Sequence, residues 1–232
     1  MGTLVSYQSG DSVATITMDD GKVNVLSPPM LAELNLALDQ ATADRAVVVL
    51  TGRPGVFSAG FDLPVLLAGG SAALAMHRAG FELAARILSF PTPVLIACPG
   101  HVVAMGVFLL LSGDYRVGAA GSYKITANEV AIGFSMPWAA VEICRQRLTP
   151  AHLTRAITLA EVFSPDDAVA AGFLDRVVPA AELLDVARST AAGLAALDMN
   201  AHAASKLRVR DHALTAIRAA IDIDHAALQA RA

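Results

Sequence analysis

"GVFSAGFDL", residues 55–63, holds two glycines, an alanine and the aromatic residues Phe57 and Phe61. It follows "AVVVLTG", residues 46–52, a continuous apolar run that predicts a strand covered on both faces of its sheet. A helix-like run comes next, and the start of a helix leaves backbone N–H groups without partners. Because small residues keep the backbone approachable, the stretch predicts a turn whose amides can face a ligand.

A second stretch has the same order of features. "PVLIACP", residues 93–99, predicts a buried strand, a Pro-Gly turn follows, and "AMGVFLLLSG", residues 104–113, predicts a short buried helix. Two such turns at the ends of adjacent strands could direct their N–H groups at one oxygen and form an oxyanion hole. Glycine turns between strand and helix are common, so from the residues alone two ordinary tight turns are the stronger interpretation. No phosphate-binding glycine motif is present.

The rest of the chain alternates strand and helix patterns. "LVSYQ" and "VATITMDD", separated by "SGDS", predict a hairpin near the N-terminus. Residues 71–90 predict a helix that ends before Pro91, and residues 200–232 are mostly helix formers. Strands dominate the first half and helices the second, which predicts an α/β fold with a helical C-terminal portion.

Composition favours a protein that forms a subunit interface. Of 232 residues, 55% are hydrophobic and only 16% are charged, which is more apolar surface than a lone monomer of this size needs. The formal net charge of −4 gives no sign of a nucleic-acid partner. The six histidines show no zinc-site spacing, so no metal is expected.

Cysteine usage and the apolar runs predict a cytoplasmic protein. Cys98 and Cys144 lie in apolar runs and are expected to be buried free thiols. The N-terminus lacks the pattern of a secretory signal. Residues 91–113 carry no charged side chain, but Pro99 and Gly100 interrupt them, so a strand, a turn and a buried helix explain the run better than a membrane span.

Several motifs in order resemble one family. "GVFSAGFDL", then "PVLIACPGHVVAMGVFLLLSGDYRV" and then "NEVAIGFSMP" resemble the crotonase superfamily of enoyl-CoA hydratases and isomerases. "KVNVL" and "FSPDDAVAAGFLDRVVP" extend the resemblance to roughly residues 5–210. It implies a crotonase-like ββα-repeat core, a spiral of sheets and helices, over residues 1–195, and a helical trimerisation region over residues 196–232.

The resemblance also implies an acyl-CoA site. The backbone N–H groups of Phe61 and Met105 would hold the thioester oxygen, although the family usually has a glycine where Met105 stands. Phe108 and His101 are assigned to the acyl pocket. Coenzyme A arrives as part of the substrate, so no separate cofactor is expected. The residues assigned to substrate and CoA binding are Lys22, Val23, Ala59, Gly60, Phe61, Asp62, Leu63 and Gly106.

Glu129 is the expected catalytic residue. Hydratases of the family use two glutamates around a water molecule; Glu129 matches the second, but Phe108 occupies the position of the first. The isomerase branch has one glutamate and an apolar residue in that arrangement. The resemblance therefore favours an enoyl-CoA isomerase of fatty-acid metabolism. The alternatives are an enoyl-CoA hydratase and a non-catalytic acyl-CoA binder.

Several polar residues have a structural interpretation as well. Asp62 is expected to cap a helix, and Asp114 to form structural hydrogen bonds. Lys22 is either a phosphate ligand or a solvated lysine in a turn. His101 either lines the pocket or is packed within a turn. Lys206 and Arg208 could reach a CoA phosphate or form a solvated face, and solvated or ion-paired positions are expected for Glu142 and Glu161. For the assembly, the resemblance implies homotrimers, often paired into hexamers.

Overall fold

A six-stranded sheet lies at the centre of the protein in a computed structural model that describes residues 3–230. The first two strands form an antiparallel hairpin, and the others are parallel to their neighbours. Asp11 and Ser12 have positive φ at the hairpin tip, as two-residue turns between twisted strands require. In spatial order the strands are β1 (Val5–Gly10), β2 (Val13–Met18), β4 (Val47–Thr51), β7 (Val94–Cys98), β9 (Tyr115–Ala119) and β11 (Arg176–Val178).

Short strands form two further sheets around the predicted "SAGF" and Pro-Gly turns. One sheet pairs β3 (Val25–Leu26) with β6 (Gly60–Phe61), and the other holds β5 (Gly55–Ser58), β8 (Gly100–Val103) and β10 (Ile125–Thr126). The strand pairing at these two turns was not predicted, because it depends on partners distant in sequence. A methyl group at Gly100 would overlap the backbone of Gly55, so glycine permits the close approach of β5 and β8.

The predicted helices are confirmed, and four of them begin at side-chain caps. Ser27, Asp62, Ser164 and Asp198 each accept a hydrogen bond from the N–H three residues later, so the expected capping role of Asp62 is confirmed. The helices are α1 (Pro28–Ala43), α2 (Leu63–Ala68), α3 (Gly70–Leu88), α4 (Met105–Leu111), α5 (Trp138–Arg145), α6 (Pro150–Thr158), α7 (Pro165–Ala171), α8 (Leu183–Leu194) and α9 (Met199–Gln229).

Hydrophobic layers cover both faces of the central sheet. Every residue of β4 is buried, as its apolar run predicted. Val48 and Leu50 belong to the main core that contains α1, α3 and α4, whereas Val47 and Val49 face α8. Every residue of α4 is buried as well, which fixes the start of this helix relative to the sheets.

An ion cluster joins the last helix to the sheet. The Asp114 carboxylate accepts hydrogen bonds from the Val94 N–H at 2.7 Å and from the Lys206 ammonium at 2.6 Å, and lies 2.9 Å from the Arg210 guanidinium. The structural interpretation of Asp114 is confirmed. Lys206 was expected either to reach a CoA phosphate or to lie on a solvated face, and neither expectation is confirmed, because its side chain is buried. Arg208, on the same helix, is exposed.

Other expectations concern thiols, acidic side chains and membranes. Cys98 and Cys144 are buried and unpaired, as predicted. Glu142 and Glu161 form ion pairs with Arg145 and Arg155, also as predicted. Within residues 3–230, no helix is both long and apolar enough to cross a bilayer. The division of the chain after residue 195 stays a prediction.

Candidate active site

A hydrogen-bonded bridge fixes the "SAGF" turn. The buried Asn24 side chain donates to the carbonyl oxygens of Met18 and Phe57, at 3.0 and 3.2 Å. The Ser58 hydroxyl donates to the Asn24 carbonyl at 2.7 Å and accepts from the Gly60 N–H at 3.1 Å. The "KVNVL" and "SAGF" motifs therefore form one unit, and the backbone that carries the Phe61 amide is held in place.

The start of α4 lies directly against this turn. A methyl group at Gly60 would come within 3.1 Å of the Met105 nitrogen and 2.9 Å of the Ala104 Cβ. Met105 is the first residue of α4, so its N–H has no intrahelical acceptor. Ala104 caps the helix with φ 51° and ψ −128°, a conformation that non-glycine residues rarely adopt and that occurs at ligand sites.

Two more glycines allow this packing. A methyl group at Gly106 would lie 2.7 Å from the Ser58 carbonyl oxygen, and one at Gly80 would overlap the Phe61 ring. The Phe61 ring thus rests in a notch on α3 while its backbone stays beside α4. Gly106, which the resemblance assigned to substrate binding, packs closely against the Ser58 backbone. The close contact between Gly80 and the Phe61 ring was not predicted.

A cavity of about 440 Å³ opens beside the two turns. Glu129 is the one carboxylate among its described lining residues, and Phe108, 1% exposed, contributes to the wall. Leu228 reaches the cavity from α9. The full lining is Ala59, Phe61, Leu63, Leu66, Gly69, Gly70, Ala73, Leu74, His77, Phe81, Val103, Ala104, Phe108, Asn128, Glu129, Ile132, Phe134, Ser135, Pro137 and Leu228.

Burial alters the chemistry of Glu129. It precedes a short 3₁₀ turn, Val130–Ile132, and its Oε2 has no hydrogen-bond partner among the described residues. Loss of hydration raises the pKa of this carboxyl to about 7, against the smaller opposing effect of its own backbone N–H. The neighbouring Asn128 Oδ1 is also buried without a partner among residues 3–230. The carboxyl can therefore accept and release a proton near neutral pH.

His77 is a lining residue that sequence reasoning missed. Its side chain lies on α3, with its ring centroid 4.9 Å from that of Phe81 and 5.7 Å from that of Phe61. Burial lowers the pKa of this imidazole, and Asp224 only partly opposes that effect. The available signal was a histidine on the apolar face of a helix, a pattern that also fits an ordinary core residue.

A second cavity, of about 460 Å³, continues from the first. The two share Ala59 and Val103, and the exposed Lys22 lines the second one together with Arg53. His101, assigned to the acyl pocket by the resemblance, lines this second cavity and not the first. The ring is held by the backbone: His101 Nδ1 accepts from the Lys124 N–H at 3.0 Å.

Comparison with known proteins identifies the family. Residues 8–231 match the enoyl-CoA hydratase/isomerase family. The chain belongs to this family. The predicted superfamily, and with it the crotonase-like fold class, are confirmed.

Some relatives of this enoyl-CoA hydratase/isomerase family enzyme are named isomerases, and others are named hydratases. It is 31% identical over 216 residues to human mitochondrial enoyl-CoA delta isomerase 1, covering 89% of this chain and 70% of the relative. It is 30% identical over 194 residues to a putative enoyl-CoA hydratase of Thermus thermophilus, covering 82% of this chain and 76% of the relative. The names alone leave isomerase and hydratase unresolved.

Solved structures show the same division. A Mycobacterium tuberculosis enoyl-CoA isomerase superposes with a TM-score of 0.92 at 51% identity, covering 96% of this chain and 97% of that one. An enoyl-CoA hydratase from Mycobacterium marinum superposes with a TM-score of 0.93 at 49% identity, covering 96% and 98%. The family fold therefore holds over nearly the whole chain, and the reaction has to be argued from the site.

Proposed function

We propose that the protein is an enoyl-CoA isomerase that moves the double bond of a 3-enoyl-CoA to position 2. The observation that carries the proposal is the cavity beside the Phe61 and Met105 amides, in which Glu129 is the one carboxylate among the described lining residues. The reaction uses no cofactor and no metal, since the coenzyme A thioester itself acidifies the proton to be moved.

The two cavities suit the two halves of the substrate. The second cavity presents Lys22 and Arg53, whose cationic side chains can meet the phosphates of coenzyme A. The thioester would cross at Ala59 and Val103, which both cavities share. The acyl chain would then occupy the mainly apolar first cavity, where burial of its methylene groups contributes to binding.

The amides of Phe61 and Met105 are the proposed oxyanion donors. Removing a proton from C2 places negative charge on the thioester oxygen. Donors already in position stabilise this charge without reorganisation, and loss of a single such donor costs about 3 kcal/mol in other enzymes. The Gly60 contact with Met105 supports the pairing, because it keeps the two backbone segments close together.

Glu129 is the proposed acid–base. Its carboxylate takes the proton from C2, and the C–H electron pair forms the dienolate. The protonated Glu129 then returns the proton to C4 while the double bond forms between C2 and C3, and the carboxylate is regenerated. A pKa of about 7 suits both half-reactions, because neither protonation state is strongly favoured near neutral pH.

Phe108 argues against hydration as the main reaction. A water molecule that adds to a double bond must be held by two or more polar groups. The phenyl ring of Phe108 offers none at the position where the resemblance implies the first of the two hydratase glutamates. The hydratase alternative is supported by Asn128 and Ser135, polar residues in the same lining that could bind water.

The test is product analysis with both substrate types. We expect 3-enoyl-CoA to be converted to 2-enoyl-CoA, and hydration of 2-enoyl-CoA to be slower by ~10² or more, the contribution of one acid–base group. Glu129→Gln should lower the kcat for isomerisation by at least ~10² while acyl-CoA binding persists. Glu142→Gln, away from the cavity, is the matched control. Hydration as the faster reaction would assign a hydratase, and binding without turnover would assign a non-catalytic binder.

The proposal extends to assembly and location. Val130, Ile132, Phe134 and Trp138 are exposed apolar side chains within nine consecutive residues, next to the candidate site. Such a patch supports burial between subunits, and we propose a homotrimer, alone or paired into a hexamer. Two buried free thiols support a location in the reducing cytoplasm.

A further inference from the structure

His77 is a polar group in the acyl cavity that the proposed reaction does not use. It is 8% exposed, it lines the cavity, and it makes no hydrogen bond to another of residues 3–230. Its aromatic neighbours are Phe61 and Phe81, and the three rings form one cluster with centroids 4.9 to 6.2 Å apart. A leucine or phenylalanine would fill this space without bringing a hydrogen-bonding group into an apolar wall.

The nearest charged groups leave the imidazole free. Asp224 on α9 acts on His77 electrostatically, but its two carboxylate oxygens accept hydrogen bonds from the N–H groups of Trp138 and Ala139, at 2.9 Å each. His225, the other titratable neighbour, opposes a positive charge on His77. The ring is therefore neutral near pH 7, and one of its nitrogens donates while the other accepts.

An acyl chain changes the hydration of this imidazole. In the free protein, water in the cavity can satisfy the ring nitrogens. A chain of methylene groups displaces that water and supplies nothing in return, and a buried polar group left unpaired is unfavourable. A chain with a hydroxyl or carbonyl group at the same depth would restore the hydrogen bond.

We propose that His77 selects acyl chains that carry a neutral polar group, a hydroxyl or a carbonyl, beyond the reacting carbons. The His77 ring centroid lies 5.7 Å from that of the Phe61 side chain, so we place the imidazole against the acyl chain beyond the thioester that the Phe61 amide would hold. His77 is thus a specificity-determining residue of the acyl cavity. This inference rests on the proposed function, because it requires an acyl-CoA in the first cavity.

The test measures binding of saturated acyl-CoAs, which cannot react. Dissociation constants are measured for unsubstituted chains and for matching ω-hydroxyacyl chains of increasing length. At the length that reaches His77, the wild-type protein should bind the hydroxylated chain about 10-fold more tightly, the ratio that corresponds to one net hydrogen bond. This comparison needs no variant.

Variants then assign the preference to the imidazole. His77→Phe should abolish the 10-fold ratio, and His77→Gln, which keeps a neutral hydrogen-bonding group, should retain most of it. Leu74→Met is the matched control, since Leu74 lies one turn away on α3 and lines the same cavity. It should leave the ratio unchanged.

Three outcomes would overturn the proposal. Equal binding of both series by the wild-type protein at every length would overturn it alone. Failure of every acyl-CoA to bind would overturn the proposed function as well. If His77→Phe abolished isomerisation of an unsubstituted 3-enoyl-CoA while binding persisted, the imidazole would act in the chemistry and not in selection.

Discussion

At the scale of single residues, the carboxyl of Glu129 combines burial with a lack of partners. Its Oε2 makes no hydrogen bond to another described residue, and burial raises its pKa to about 7. In the proposed mechanism the base is the carboxylate form. We therefore expect kcat/KM for isomerisation to rise with pH and to level off above about 7, and a pH–rate profile of the wild-type protein measures this. A profile that is flat from pH 5 to 9 would contradict the assignment.

The same pKa shift predicts how Glu129 affects stability. Between the ordinary carboxyl pKa of 4.5 and about 7, the folded state binds a proton that the unfolded state does not, so the free energy of unfolding falls as pH rises. Below pH 4.5 both states are protonated and the effect vanishes. Glu129→Gln should thus stabilise the protein above pH 7, by up to about 3 kcal/mol, and have little effect at pH 4.

Urea denaturation at pH 4 and pH 8 tests this prediction. Glu142→Gln serves as the control, because Glu142 is half-buried and paired with Arg145. It should show no gain in stability at pH 8. A Glu129→Gln protein that is no more stable than wild type at pH 8 would show that the carboxylate is better solvated than its surroundings indicate.

Sequence reasoning located Glu129 but not His77, for a physical reason. Glu129 lies in a motif whose residue types and spacing are specific to one family. His77 lies on an apolar helix face between Met76 and Gly80, where a histidine is usually part of the core. Only the tertiary structure shows that this face borders a cavity. Likewise, only the tertiary structure shows that His101, on β8, lines the second cavity.

At the scale of elements, Asp114 connects the beginning of β9 to α9. Lys206 and Arg210 are buried around it, and burial lowers the pKa of the Lys206 ammonium to about 8. Asp114→Asn would leave two buried cations without their counter-ion. We expect it to lower the free energy of unfolding by about 3 kcal/mol or more at pH 7, measured by urea denaturation.

Arg208→Ala is the control for this prediction. Arg208 lies on the same helix but is exposed, so its loss should change stability by no more than about 0.5 kcal/mol. Equal effects of the two substitutions would mean that the ion cluster contributes little. The cluster could not be predicted, because Lys206 follows Asp114 by 92 positions and nothing local links them.

Elements with a regular pattern within one segment were predicted well, whereas the pairing of the short strands β5 and β8 was not. The continuous apolar runs of β4 and β7 and the helical spacing of α3 are visible within one segment. The four-residue strands β5 and β8 exist because they pair with each other, which depends on two glycines distant in sequence. The candidate site lies among these short elements, so its residues were predictable only through motif resemblance.

At the scale of the whole molecule, the apolar patch from Val130 to Trp138 predicts association. Light scattering at micromolar concentration should give a particle of three or six chains, each of 24.0 kDa. Trp138→Glu should shift the particle toward one chain, since Trp138 is 60% exposed and a glutamate suits the first turn of α5. Leu36→Glu, at an exposed position on α1, is the control. A wild-type particle of about 24 kDa would remove the trimer proposal.

The last helix has a consequence for how the protein is made on the ribosome. The residues that line the first cavity run from Ala59 to Leu228, which lies near the end of α9. On the same helix, the Asp224 carboxylate accepts hydrogen bonds from the first N–H groups of α5. Chains emerge N-terminus first and start to fold before synthesis ends. Until α9 emerges, a growing chain would hold Phe61 and Phe81 at the edge of an open apolar cleft. Chaperones bind such transiently exposed surface, so the interval before α9 emerges is one in which this protein is prone to aggregation.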